Sequence, residues 1–281
     1  MEVLLNELSL TGQFKDENDF FNNFDSVLEI IKLLDILNFS IAKEYMFFDV
    51  AITSQYKLGD FLRLRTDRAK RMKRFLAKLA QNPPFWNEIQ KHDCSSNSYI
   101  FNGVDICNTS LAESCEQDKI VLSFFHNDFL NNSLLVQKNS DDIHIYNLLD
   151  KNDFIDYLLS RSKIEFIHYC RLNFNDSNLN FSLLEDDYGF DILDASQKKE
   201  FLNTFNKFSQ MNWNDILKSS AYTKGLNYKS YDGDWFKNTE YSQKNIFKFR
   251  TSQKYRCFGY REGNVFFVLR FEIDHEISNN G

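Results

Sequence analysis

Two short runs near the C-terminal end gather the side chains best suited to chemistry on an anion: IFKFR (Ile246–Arg250) and KYRCFGYR (Lys254–Arg261). Both read as strands, in which successive side chains point to opposite faces. Alternation puts Lys254, Arg256, Phe258 and Tyr260 on one face of the second run, and Tyr255, Cys257, Gly259 and Arg261 on the other. Lys248 and Arg250 share a face of the first. Antiparallel pairing through the TSQ turn then lines Lys248, Arg250, Lys254 and Arg256 along one side of a sheet. Cations beside Tyr and Phe suit RNA, because guanidinium and ammonium groups bind phosphate and aromatic rings stack on splayed bases. The same cations can stabilise the charge that develops on phosphorus during phosphodiester cleavage. The competing reading is a solvated sheet face that happens to carry Lys and Arg. His275, behind a third strand-like run (Val265–Asp274), is either a general acid or base titrating near neutrality or a strand-end residue bonded to backbone.

A second basic stretch, RLRTDRAKRMKRFLAKLA, places Arg63, Asp67, Lys70, Arg71, Arg74 and Lys78 at helical spacing. They lie opposite an apolar stripe through Leu62, Ala69, Met72, Phe75, Leu76 and Leu79. Such a helix either rides on a phosphate backbone or shows an ordinary charged outer face. On both readings Arg63, Arg71 and Arg74 are expected to be exposed. His92, Cys94, Cys107 and Cys115 have zinc-capable side chains, but H-x-C-x12-C-x7-C lacks the paired C-x2-C of such sites, so no metal is expected. In SFFHND, His126 and Asp128 follow a strand; a hydrolase could use such a pair, but a capping or turn role fits better. No glycine-rich phosphate loop, nucleophile elbow or dinucleotide fingerprint occurs, and no cofactor is expected.

These groups need elements to hold them. The periodicity predicts helices over Phe20–Asn38, Asp60–Gln81, from Ser110 (a capping box with Glu113), from Asn152, over SQKKEFLNTFNKFSQM and over WNDILKSS. Strands are expected in EYMFFDVAITSQY, IVLSFF, SLLVQK, IHIYNL and IEFIHYCRLNF. Three more, Ile246–Arg250, Lys254–Arg261 and Val265–Asp274, form a closing meander with Gly263-Asn264 in the last turn. A soft boundary falls near residue 190. It divides a mixed α/β region (1–190), of regulatory or recognition character, from a small C-terminal domain (191–281). The fold class is α+β.

Composition limits the setting. The 281 residues include 43% hydrophobic side chains and 29 Phe, so a substantial core is available. No apolar run is long enough for a membrane span, and the first residues lack the basic flank of a signal peptide. A cytoplasmic protein away from membranes, with five reduced cysteines, is expected. The net charge of −7 hides an asymmetry: Ala221–Arg261 holds nine Lys/Arg against three Asp/Glu. The rest of the chain therefore carries about −13, the remainder of that total, and the basic face is local.

The segment Trp213–Ile277 resembles RelE/HigB-type ribonuclease toxins, which carry an FR…(K/R)-x-R-x-(F/Y)-G-(F/Y) pattern followed by a V-F-x-V-L-type strand. The matching residues are Phe249-Arg250, Lys254-Tyr-Arg256-Cys-Phe258-Gly259-Tyr260 and Val265-Phe-Phe-Val-Leu269, and Asp274-His275-Glu276 resembles the strand end of some members. The resemblance implies two helices on a curved antiparallel sheet and metal-independent endoribonuclease chemistry at a 2′-hydroxyl. It implies that Arg250, Lys254 and Arg256 clamp phosphate, with Tyr260 and His275 for stacking or proton transfer. Lys248, Arg261, Arg63, Lys70, Arg71 and Arg74 are then candidate RNA contacts. The natural setting implied is a bacterial toxin–antitoxin or phage-defence effector, with RNA, free or ribosome-associated, and an antitoxin or complex partner as its ligands. The alternative is a non-catalytic interaction subunit of a defence or nucleic-acid-processing complex.

Overall fold

The computed structural model describes residues 1–70, 72–74, 83–125, 127–219 and 225–277. The chain divides into two compact units, Met1–Phe154 and Ile155–Gly281, each of mixed α and β structure with its own mixed sheet.

The first unit is organised around β1 (Glu2–Leu5), whose Val3, Leu4 and Leu5 are buried. It pairs in parallel with β2 (Ser40–Ala42) on one side and β5 (Val121–Leu122) on the other. Beyond β5 lies β7 (Asp141–Leu148), also parallel. Then β6 (Ser133–Lys138), β3 (Tyr99–Phe101) and β4 (Val104–Asp105) extend the sheet antiparallel. Helix α1 (Glu17–Ile36) connects β1 to β2. Asp16 caps it by accepting from the Asp19 amide at 3.0 Å, and Phe20, Phe21, Phe24, Val27, Ile30, Ile31 and Leu34 form its buried stripe.

Several expected elements come out differently. EYMFFDVAITSQY is not a strand: Phe47–Asp49 is a 3-10 turn, and Thr53 Oγ1 accepts from the Gln55 and Tyr56 amides, folding the segment into a tight loop. The long helix expected over Asp60–Gln81 is interrupted. Helix α2 (Leu58–Phe61) stops, and residues 67–70 and 72–74 are helical again after Thr66 Oγ1 accepts from the Ala69 amide. A local hydroxyl acceptor offers the backbone an alternative to the helix ladder, and here it starts a new helix instead of continuing the old one. Residues 71 and 75–82 of that stretch lie outside the described residues. Helix α3 (Ser110–Gln117) forms as expected, but Thr109 is its N-cap. The amide of Ser110 is taken by Glu7 Oε1 at 2.8 Å.

The cysteines are not all reduced. Cys94 and Cys107 form a disulfide with Cα atoms 5.9 Å apart, brought together by the β3–β4 hairpin between them; Cys115, Cys170 and Cys257 are free thiols. Spacing alone could not show this, because the two positions meet only after the hairpin folds. No helix among the described residues is long and apolar enough to cross a membrane.

Helix α4 (Lys151–Ser160) spans the division between the units. The boundary lies at 154/155, not near 190, because residues 155–190 build the second unit. IEFIHYCRLNF is helix α5 (Phe166–Asn173), not a strand. Its Phe166, Tyr169 and Cys170 recur at helical spacing, with Tyr169 and Cys170 buried. The rings of Phe174, Phe181 and Phe190 then pack with Phe205 of helix α6 (Ala195–Gln210).

The second sheet runs β8 (Leu179–Asn180), β12 (Val265–Glu272), β11 (Arg256–Glu262), β10 (Ile246–Arg250), β9 (Lys229–Ser230). The β10–β11–β12 meander is antiparallel, as the alternation predicted. Helices α6 and α7 (Trp213–Lys218) cover one face. On it Phe201 meets Phe271 at 4.5 Å between ring centroids and Phe208 meets Phe249 at 4.8 Å. A bulge between Phe258 and Gly259 makes Leu269 the extra residue on β12. It brings Arg270 and Glu272 onto the face of Arg256 and Phe258, and joins them to Phe267 instead of opposing it.

Candidate functional site

The predicted basic face exists, but it is not open. Cross-strand register sets Arg250 opposite Arg256 and Arg256 opposite Glu272; the next row is Lys248, Phe258, Arg270. Lys248, Arg256, Arg270 and Glu272 are only 2%, 5%, 6% and 3% exposed. The cover is the segment leading into β10, whose Tyr231, Phe236 and Tyr241 form a second hydrophobic cluster with Ile246, Phe258, Tyr260 and Leu269. Alternation placed Lys248, Arg250, Arg256 and Phe258 on this face correctly. It could not show that an aromatic segment from elsewhere in the unit lies over them.

Each buried cation has a structural partner. Lys248 Nζ lies 5.1 Å from the centre of the Tyr231 ring, and burial, then Lys229, hold its pKa below the usual lysine value. Arg270 donates from Nε and Nη2 to the two carboxylate oxygens of Glu185, at 2.9 and 2.8 Å. It also donates from Nη1 to the Trp235 carbonyl, between the rings of Tyr188, Trp235 and Phe236. Arg256 Nη1 donates to the carbonyls of Ser252, Gln253 and Tyr255 at 3.1, 3.2 and 2.9 Å, tying the β10–β11 turn together. Burial lowers its pKa first and the adjacent Arg250 second, while Glu272 opposes both. Arg270 and Glu272 were not among the sequence-predicted site residues, since the bulge that places them leaves no mark in the alternation.

The other candidates separate into a cluster and outliers. His275, in the left-handed backbone region (φ 68°), meets Arg256 Nη2 through Nε2 at 2.7 Å. A guanidinium can only donate, so this bond needs an unprotonated Nε2 and leaves the imidazole proton on Nδ1. Lys254 is exposed, but in the turn before β11 and not on the sheet. Arg250, half-buried at the end of β10, completes a positive group with Arg256 and Lys254 around that turn. Its Nε is buried without a hydrogen-bond partner among the described residues. Tyr260 lies away from this group. It pairs with Ile246 at the far end of the hairpin, stacked on Phe267 at 5.2 Å with Lys244 Nζ over its ring. Arg261 belongs to the opposite face, 3.8 Å from the Trp213 ring centre.

In the first unit, Arg63 and Arg74 are exposed, as expected, and Arg71 lies outside the described residues. Arg63 and Lys70 pair with Asp60 and Asp67 three residues earlier. The interruption at 62–66 removes the single basic helix face that would have aligned them. Arg68 anchors the segment on α1, meeting Asp25 at 2.9 Å. His92 is buried, with Nδ1 2.6 Å from Glu113 Oε2, and is a core residue. No group of metal-ligating side chains occurs among the described residues. Of the His126–Asp128 pair, His126 lies outside the described residues.

Protein-family models, curated proteins and solved structures give no match to this chain.

Proposed function

We propose that the second unit is a toxin-like effector module that engages RNA through the cations around the β10–β11 turn. The observation that supports this is the pairing of Arg250 directly across from Arg256, with exposed Lys254 in the connecting turn. Two guanidiniums on adjacent strands repel each other, and after burial the neighbouring Arg250 is what most disfavours the charged form of Arg256. An incoming phosphate would relieve that repulsion. In this reading Arg250 and Lys254 touch phosphate. Arg256 is a positioning residue, because its guanidinium is engaged by turn carbonyls and His275. If the module cleaves, attack of a 2′-oxygen on phosphorus forms a cyclic phosphate and expels the 5′-oxygen, the 2′-hydroxyl proton leaving to solvent water and the 5′-oxygen taking a proton from it, with His275 beside the phosphate-binding cations. With Nε2 engaged by Arg256, the neutral imidazole offers its Nδ1–H as a hydrogen bond to a phosphoryl or leaving oxygen, and not as a proton to transfer, because losing it would leave an imidazolate.

The second reading, a non-catalytic interaction subunit, is favoured by one observation: Arg256 and Lys248 are buried and hold the fold, and Tyr260 is remote from the turn. Expression of the chain in bacterial cells, with RNA integrity followed over time, separates the two. Growth arrest with RNA loss, abolished by Arg250→Ala with Lys254→Ala, supports the effector. RNA binding without cleavage supports the interaction subunit. If the purified chain neither binds nor cleaves RNA, both RNA readings fall.

A further inference from the structure

The four parallel strands of the first unit lie in the order β2, β1, β5, β7. The chain leaves β1 to build β2 on one side and returns later to build β5 on the other. The connections leaving the carboxyl ends of β1 and β5 therefore diverge. In open α/β sheets such a reversal of strand order opens a crevice, and it is where ligands bind.

A pocket of about 240 Å³ opens at this place. Leu8, Thr11 and Gln13 line it from the segment after β1, Asp128 and Phe129 from the segment after β5, and the β3–β4 hairpin forms the remaining wall. The two segments are held to each other by hydrogen bonds: Asn6 Nδ2 to Ser123 Oγ at 2.8 Å, the Phe124 amide to Ser9 Oγ at 3.0 Å, and Asn127 Nδ2 to Gln13 Oε1 at 2.8 Å. One wall is apolar, made by Phe101 and Phe129, whose rings stack on each other at 5.5 Å and 17°.

The chemistry of the lining selects the ligand. It offers two carboxylates, Asp105 and Asp128, with hydroxyl and amide groups, and no Lys, Arg or His. Asp128 is exposed and has no ion-pair or hydrogen-bond partner among the described residues. The helix that follows β1 opens with Asp16, Glu17 and Asp19 and no glycine-rich loop, the reverse of a phosphate cradle. The volume is below the usual range for a drug-sized ligand of roughly 300–1,000 Å³. We propose that this crevice binds a small planar organic cation, with its flat body on the Phe101–Phe129 wall and its amino or amidino group at Asp128. The site is separate from the RNA-facing turn, and neither proposal needs the other.

Benzamidine and benzoate, which share a ring and differ in charge, are suitable probes. They would be titrated at millimolar concentration into the isotope-labelled full chain and followed by amide NMR. Saturable shifts confined to residues 8–13, 101–106 and 128–129 with benzamidine, and at least tenfold weaker binding of benzoate, are expected. Asp128→Asn should weaken benzamidine at least fivefold, and Val104→Trp, at a position 63% exposed, should block it sterically without touching the charge. Equal binding of the two probes, no saturable shift at these residues, or unchanged affinity in both variants would overturn the proposal.

Discussion

The side chains with the most chemical promise are also those the fold uses most heavily. Arg256 ties three turn carbonyls and faces Glu272, so its removal would leave a buried carboxylate without its cross-strand cation. Stripping buried carbonyls of a charged donor and a buried carboxylate of a nearby cation is costly. Arg256→Ala is expected to lower stability in urea denaturation by about 3 kcal/mol, whereas Lys254→Ala, at an exposed turn position, should change it by no more than about 0.5 kcal/mol. An activity loss in the Arg256 variant therefore needs a folding control before it is read as catalysis. Glu7 provides a second test at this scale. Burial raises its carboxyl from 4.5 to about 7, against the opposing bond from the Ser110 amide. The folded state thus holds this proton more tightly than the unfolded chain. Its stabilising contribution is complete below pH 4.5 and is lost as pH rises through about 7. Glu7→Gln should flatten that fall, a change on the order of 3 kcal/mol across the window, measured by denaturation at pH 4.5 and pH 8.

Among the elements, the β11–β12 hairpin depends on one glycine. A Cβ at Gly259 would overlap the Phe267 carbonyl oxygen and lie 2.8 Å from the Phe266 ring, both fixed by the bulged ladder. Gly259→Ala should destabilise the second unit by more than about 3 kcal/mol, visible as loss of its cooperative transition in thermal denaturation. The β3–β4 hairpin depends on its disulfide. Closing a loop of 13 residues' separation restricts the unfolded chain by about 3 kcal/mol. Reduction, or Cys107→Ser, should lower the stability of the first unit by that order, measured with and without reductant. The same hairpin walls the proposed cation pocket, so reduction should weaken benzamidine binding as well. Strong periodicity carried helices α1, α6 and α7 and the closing meander into the structure. Where one hydroxyl redirected the backbone, at Thr53 and Thr66, the pattern misled, because a single local hydrogen bond outweighs a weak propensity.

At the scale of the whole molecule, a net charge of −7 means RNA would be met by a local face and not by a general field. If Arg250 and Lys254 are the phosphate contacts, the logarithm of RNA affinity should fall with that of salt with a slope near −1.4, about −0.7 for each phosphate on a single strand. The double alanine variant should bring the slope close to zero. A steeper slope would place the RNA on other cations. The sequence by itself determined that the chain mixes α and β structure, that a three-strand meander closes the second unit, and which residues of β10 and β11 share a face. Those properties follow from local periodicity, which any folded arrangement must respect. Only the tertiary structure decided that Lys248 and Arg256 lie under an aromatic cover, that residues 155–190 belong with the second sheet, and that Cys94 meets Cys107. It also decided that the segments after β1 and β5 enclose a crevice. Each of these depends on segments far apart in the chain being brought together. Burial and long-range pairing are set by the balance of all the packing in a unit, which no short pattern contains.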